Sequence, residues 1–438
     1  MNGIVRIGAG AGFSGDRIEP AVALAAHGNL DYLVFECLAE RTIAHAVRER
    51  RQNPDAGFDP YLEERWEAVL PAARANRVRI ITNMGAANPI AAARHTARVA
   101  RRLGLGSLKI AAVTGDDVLA SFVSSPVAAA IASRMISANA YLGCEPIVAA
   151  LKQGADIVLT GRAADPSLFV APLVHELDWA LDDWERLGRG TVIGHLLECA
   201  GQVTGGYFAD PGYKEVHALA TLGFPIAEVS ADGSACITKL AQSGGGVSVA
   251  TCTEQLLYEL HDPSRYLTPD VIADFSGVRF TQRGPDRVSV EGGSGRERPP
   301  TLKVSVGYEE GYAAEGQISY AGPGAVARGR LALAIVRERL QERAGEFLDL
   351  RFELIGVDSV FPGSSASGAP SEVRARVAGR SLSLSSAQRI GREVEALYTN
   401  GPAGGGGATQ SVRAVVGIES ATIAREQVQT QIHWETVP

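Results

Sequence analysis

Short β-branched runs that recur between helical segments constrain this chain most. Ile4–Ile7, Asp31–Glu36, Val78–Thr82, Leu108–Val113 and Asp156–Thr160 each read as a strand. Helical patterns separate most of them: Asp16-Arg17 with Pro20 opens one through Ala26, and Glu40–Arg50, Leu62–Asn76, Pro89–Leu103 and Pro146–Gln153 follow. Strands spaced by helices imply βαβ units, because a parallel neighbour needs a crossover longer than a hairpin. The expectation is an α/β fold with a mostly parallel, Rossmann-like sheet in the N-terminal half. The second half reads differently. Ala227–Lys239, Val288–Val290, Leu302–Tyr308 and Glu315–Tyr320 look like strands joined by turns, and a long helix, Ala325–Arg343, precedes a strand at Leu348–Leu354. A last helix, Ala387–Leu397, leads into GPAGGGG (401–407) and a strand at Ser411–Val416. This pattern predicts a second, α+β domain. The expected division is 1–225 and 226–438, with QSGGG (242–246) as a linker or binding loop near the seam.

Composition bounds the function classes. With 46% hydrophobic and 21% charged residues in 438, the chain has ample material for a core. The net charge of −7 and the lack of a basic tract argue against a nucleic-acid partner. The opening MNGIVRIGAG reads as a strand and not as a signal peptide, and no apolar run reaches the ~18 residues a membrane span needs. Five scattered cysteines without CxxC spacing point to reduced thiols in a cytoplasm, not to a disulfide framework or a zinc ribbon.

The densest polar stretch runs from Gly154 to Tyr207. GADIVLTGRAADPS places Thr160, Gly161 and Arg162 at a strand end with Asp165 behind; His175 and Glu176 follow, then His195, Glu198, Gln202 and Thr204. Ligands of open α/β sheets bind where loops converge at the carboxyl ends of strands, so the active site is expected here. His195 and Glu198 are spaced i, i+3 and share a face if the segment is helical. That spacing suits acid–base work or substrate contact, and equally a structural hydrogen-bonded pair; metal ligation would need further ligands such as His175 and Glu176. Arg162 can grip a carboxylate or phosphate bidentately, or pair with Asp165. Asp165 before Pro166 is a helix cap or a second catalytic candidate. Cys199 reads as a small core residue before it reads as a nucleophile. Asn83 and Asn88 in TNMGAANP, and Asn139 and Tyr141 in SANAYLG, offer neutral hydrogen-bond partners to an oxygen-rich substrate.

Two glycine-rich segments remain. Gly10, Gly12 and Gly15 spell GxGxxG, with Glu36 where a ribose-binding acid would sit, yet the strand stops too early for the tight dinucleotide loop. A polar loop presenting Ser14, Asp16 and Arg17 to the cleft fits better, and a plain helix cap remains open. Gly401–Gly407, with Gly404, Gly405, Gly406 and Gly407 in a row, can cradle an anion with backbone amides, or serve as a surface linker.

The strings GFSGDR (12–17), LDYLVFECLAE (30–40), TNMGAANP (82–89), GDDVL (115–119), NAYLG (139–143), GADIVLTGRAADPSLFVAPLVHE (154–176), GTVIGHLLECAGQVTGGYF (190–208) and VSVATCTEQLLYELHDPSRYLTPDVIADF (247–275) resemble the acyclic terpene utilisation family, AtuA. The resemblance runs from about residue 4 to about residue 430. It implies bacterial catabolism of acyclic isoprenoids through CoA thioesters. Because the chain ends at Pro438, it resembles the stand-alone core that lacks the small C-terminal domain of longer members. It is therefore expected to be a cytoplasmic lyase or hydratase acting on a carboxylate or acyl-CoA thioester. His195, Glu198 and Asp165 would be catalytic; Asp16, Arg17, Asn83, Asn88, Asn139, Tyr141, Arg162, Gln202 and Thr204 would bind substrate. No cofactor is firmly implied beyond CoA as part of the substrate. A homo-oligomer is expected, with room for a small accessory subunit. The rival readings are a non-catalytic subunit that binds substrate or scaffolds a partner, and a metal-dependent lyase.

Overall fold

The computed structural model describes residues 3–122, 131–360 and 370–438. The chain divides into two compact units, Met1–Gly307 with Ile418–Pro438, and Tyr308–Gly417.

The first unit opens with β1 (Ile4–Ala11), α1 (Glu19–His27), β2 (Tyr32–Phe35), α2 (Glu40–Gln52), α3 (Leu62–Ala75), β3 (Arg79–Thr82), α4 (Pro89–Arg102) and β4 (Leu108–Thr114). It continues through β5 (Met135–Ala140), α5 (Glu145–Lys152), β6 (Ile157–Thr160), α6 (Ser167–Glu176) and α7 (Trp184–Leu197). The hairpin of β7 (Pro225–Ser230) and β8 (Ala235–Lys239) and then α8 (Val249–Leu257) follow. Strands β1, β2, β3, β6 and β4 pair in parallel in that spatial order. All five expected strands are therefore present, parallel, and within a few residues of their expected bounds. Their side chains explain this: YLVF of β2 and IVLT of β6 are buried at every position, as a strand covered on both faces must be.

The sheet is mixed, not wholly parallel. Antiparallel β7 and β8 extend it beyond β1, two further hairpin strands (Arg279–Gly284 and Arg287–Glu291) extend it past β8, and the last strand of the chain, Gln431–Val437, pairs antiparallel with β4. Residues 226–307 thus belong to the first unit and not to a second domain that starts at 226. The cause is a register no sequence pattern announces: Ile226–Ser230 pairs along Gly8–Ile4 and covers the open edge of β1. Beside the parallel strands, Trp66 is fully buried edge-on against Phe35 with ring centroids 5.8 Å apart, and donates its indole N–H to Thr96 Oγ1 at 2.7 Å. No helix among the described residues is long and apolar enough to cross a membrane.

The second unit follows the order strand (Thr301–Ala321, from Tyr308 onward), α9 (Ala325–Gln341), strand (Asp349–Ile355), strand (Glu372–Ser381), α10 (Leu384–Glu395), strand (Gly406–Ala424, up to Gly417). The spatial order places Asp349–Ile355 beside Glu372–Ser381, then Thr301–Ala321, then Gly406–Ala424. This is the split β-α-β arrangement. Its core is built from Ile318, Tyr320, Ala332, Val336, Leu340, Val377, Ile390 and Val394. The strand Glu372–Ser381 falls in a stretch whose alternation EVRARVAGRS escaped the sequence reading, although half-buried and buried positions alternate along nearly all of it.

Candidate active site

Five parallel strands end on the same side of the sheet, and each hands on a polar side chain. After β1 comes Asp16, whose carboxylate accepts from the Gly12 amide at 2.9 Å and the Arg17 amide at 2.8 Å. Burial raises its carboxyl above the usual range. After β2 comes Glu36, which accepts from Leu38 N–H at 2.9 Å and from Asn83 Nδ2 at 2.8 Å. Asn83, just beyond β3 and fully buried, also accepts from Cys37 N–H at 2.7 Å. It joins the ends of β2 and β3 and points inward. Fully buried Arg65 on α3 completes this side by donating to Ser14 O at 2.9 Å and reaching Cys37 Sγ at 3.1 Å.

The centre of the cluster is Arg162, two residues past β6. It is 2% exposed, donates to Leu38 O at 2.5 Å and to Asp165 Oδ1 at 2.7 Å, and lies over the Tyr141 ring at 4.1 Å. Of the two roles open to Arg162, the Asp165 pair is the one formed. Burial opposes its charge, but Asp165, Tyr141, Glu36 and Glu40 together hold the guanidinium firmly protonated. Tyr141 donates to Glu40, which also accepts from Lys303 Nζ at 3.2 Å. Burial alone would raise the Glu40 carboxyl; Tyr141, Arg162 and Lys303 instead bring it down to about 2. Beyond β4, Asp116 accepts from Asn139 Nδ2 at 2.9 Å and from Arg162 N–H at 3.0 Å, and burial pushes its carboxyl up to about 6. Asp165 does not cap α6, whose N-cap position is Pro166.

His195 and Glu198 pair as their spacing suggests, with Nδ1 and Oε1 2.9 Å apart. His195 is enclosed by the protein. It is 1% exposed, its Nε2 donates to Leu256 O at 3.1 Å, and its ring sits 5.3 Å from Tyr266 and 5.5 Å from Phe275. Both nitrogens are committed, so the imidazole acts as an anchor. Glu198 closes α7 and has its other oxygen, Oε2, buried without a partner. Burial pushes its carboxyl up to about 7 against the pull of His195, and Asp165 and Glu259 push the same way. Glu36 is likewise raised by burial and then by Asp165, against Arg162. The Asp165 carboxylate therefore acts on both Glu36 and Glu198, while Arg162 acts on Glu36 and Asp165.

Other expected contacts lie outside this cluster or serve the backbone. Asn88 caps α4 through Ala91 N–H and donates to Pro54 O and Ala56 O, both at 2.8 Å. Thr204 donates to Gly201 O and Gly223 O. Gln202 keeps a buried Oε1 without a partner. Arg17 turns outward to Glu19 at 3.6 Å, beside a separate depression lined by Leu24, Leu222 and Phe224. Gly404–Gly407 belong to the second unit. The glycines of GxGxxG have packing reasons: a Cβ on Gly10 would meet the Phe35 ring at 2.5 Å, and one on Gly12 the Cys199 backbone at 2.6 Å. Among the described residues, no group of three or more His, Cys, Asp or Glu is placed to hold a metal ion. His175 and Glu176 sit apart from His195; Glu176 accepts instead from Tyr32 and Arg79 at the start of β2 and β3.

The sequence reading did not assign Glu40, Arg65, Asp116 or Lys303 to the site. Asp116 had a usable signal, since it stands just beyond a strand end. Lys303, far along the chain, had none. A family model described as acyclic terpene utilisation family protein AtuA matches residues 5–434. The chain belongs to the AtuA family. Every residue of the cluster, from Asp16 to Lys303, lies inside the AtuA match. No curated protein and no solved structure matches the chain.

Proposed function

We propose that this AtuA-family chain is an enzyme of acyclic terpene catabolism that runs a lyase or hydratase reaction on a carboxylate or its acyl-CoA thioester. One observation carries the reading. The Glu198 carboxyl is held through one oxygen by the buried His195, keeps its other oxygen unpaired, and is pushed up to about 7 by burial, with Asp165 and Glu259 acting the same way. A general base works best when its pKa lies near the operating pH. As base, Glu198 would take the proton next to the substrate carbonyl. The electron pair of that C–H bond would form the double bond as the β-hydroxyl leaves, protonated to water by a second carboxyl that burial keeps raised, such as Glu36. Arg162 would offset the negative charge that develops on the carbonyl oxygen. His195 would position Glu198 and store positive charge behind it. Asp16, Asn83, Asn139 and Tyr141 would shape the surrounding wall. We read the parallel strands as a Rossmann-like sheet with its ligand at the strand ends. Five unpaired thiols support a reducing, cytoplasmic setting.

The test is hydrogen exchange. Purified protein is incubated in deuterated water with branched 3-hydroxyacyl-CoA thioesters and, separately, with the free acids. The expected result is deuterium at the α-carbon and interconversion with the enoyl form, slowed roughly 10²-fold by Glu198→Gln. Absence of exchange with both compound classes rejects the reading.

A further inference from the structure

We infer that the second unit carries an oxyanion site, for a phosphate or carboxylate group, between the start of α9 and the glycine loop Gly401–Gly407. Two turns meet there. Arg328 in the first turns of α9 donates to Ala321 O at 2.6 Å and Pro323 O at 3.2 Å on one side, and to Ala403 O at 3.5 Å on the other. It thus ties Ala321–Gly324 to the glycine loop through neutral carbonyls alone. Among the described residues Arg328 forms no ion pair, and its Nε–H is buried without a partner. A guanidinium held in place by carbonyls keeps its full charge for an anion.

A second, independent observation points to the same spot. Tyr320 is 0% exposed and its hydroxyl has no partner. It lies directly under the loop, since a Cβ on Gly405 would stand 3.2 Å from it. A buried hydroxyl left unpaired is costly, and an acceptor bound above Gly405 would satisfy it. The helix adds its own donors. The N-cap of α9 is Gly324, in the left-handed region, so no side chain caps the first-turn amides. Such amides and the positive end of a 17-residue helix favour an anion. Side chains leave the approach clear: a Cβ on Gly322, Gly324 or Gly406 would meet nothing within 4 Å, and one on Gly404 only Arg328 Nη1.

The experiment titrates the full chain with sodium phosphate, sodium acetate and sodium chloride at matched ionic strength, following the unfolding midpoint and the ³¹P line width. Phosphate or acetate should raise the midpoint where chloride does not, as a ligand specific to the folded state does. Whichever of the two acts identifies the group bound. Tyr320→Phe should weaken that binding about 5–10-fold while leaving the anion-free midpoint unchanged or higher. Arg328→Gln should weaken it at least as much. Equal response to all three salts overturns the site. So does anion binding that Tyr320→Phe leaves intact, a result readable even if Arg328→Gln fails to fold.

Discussion

His195 Nε2 donates to the Leu256 carbonyl while Nδ1 meets Glu198 Oε1 at 2.9 Å. A carbonyl can only accept, so Nε2 carries a proton in every state, and the proton between Nδ1 and Glu198 is the one that titrates. Burial alone would lower the histidine, yet Glu198 and Leu256 O raise it above its usual value. Replacing His195 by Asn should destabilise the protein by about 3–5 kcal/mol, the usual cost of breaking a buried charged pair. It should also move the Glu198 limb of the pH–rate profile upward, because the group that pulls Glu198 down is gone. Urea unfolding and the pH profile together check this. An unmoved limb would detach Glu198 from the rate.

Asp116 makes a stability prediction with a definite sign. Its carboxyl is raised from 3.8 to about 6. The folded state therefore binds the proton more tightly than the unfolded chain. The associated stability is complete below pH ~4 and is lost as pH climbs to ~6 and beyond, by about 3 kcal/mol. Asp116→Asn keeps an oxygen for Asn139 and Arg162 N–H and removes that loss. Unfolding free energies at pH 5 and pH 8 should therefore differ less in the variant than in the parent protein. An identical pH slope in the two would show that Asp116 is not the group responsible.

Glu40 has the opposite sign. Tyr141, Arg162 and Lys303 hold it down to about 2, so its contribution is present above its usual 4.5 and disappears as pH falls toward 2. Tyr141→Phe removes one of the three restraints. The variant should lose native circular dichroism at a higher pH than the parent on acid titration, and match it more closely in shape of the transition near neutrality. An unchanged acid midpoint would mean the Tyr141–Glu40 bond contributes nothing in solution.

Gly12→Ala tests the seat of the 12–16 loop. The added methyl would meet the Cys199 backbone at 2.6 Å, where no side chain can swing aside. A loss of about 1–3 kcal/mol is expected from overpacking. Gly345→Ala, where nothing lies within 4 Å, is the matched control and should leave the midpoint within about 0.5 kcal/mol. Equal midpoints for the two variants would show that the loop can lift off Cys199.

The i, i+3 spacing of His195 and Glu198 was enough to pair them, because helical geometry is local. It could not say which one would be held on both sides. That depended on Tyr266, Phe275 and Leu256, which reach the ring only through the fold. Arg162 and Asp165 were readable as a pair because they are three residues apart. Asn83 was legible as a polar residue at a strand end, but its inward aim follows from Glu36 and Cys37 just beyond the neighbouring strand. Asn88 shows the converse: a residue that caps its own helix and ties Pro54 and Ala56 has no donor left to offer a substrate.

The sequence by itself determined the parallel strands and their helices, since periodicity and burial of β-branched runs act over a few residues, and it determined membership of the AtuA family over 5–434. Only the tertiary structure decided the sheet's antiparallel flanks, the division at 307 and 417, and the company kept by Arg162. Strand order is a pairing between segments hundreds of residues apart, as with Gln431–Val437 on β4. The state of a carboxyl such as Glu198 depends on which charges and how much protein surround it, and neither is written in its neighbours along the chain.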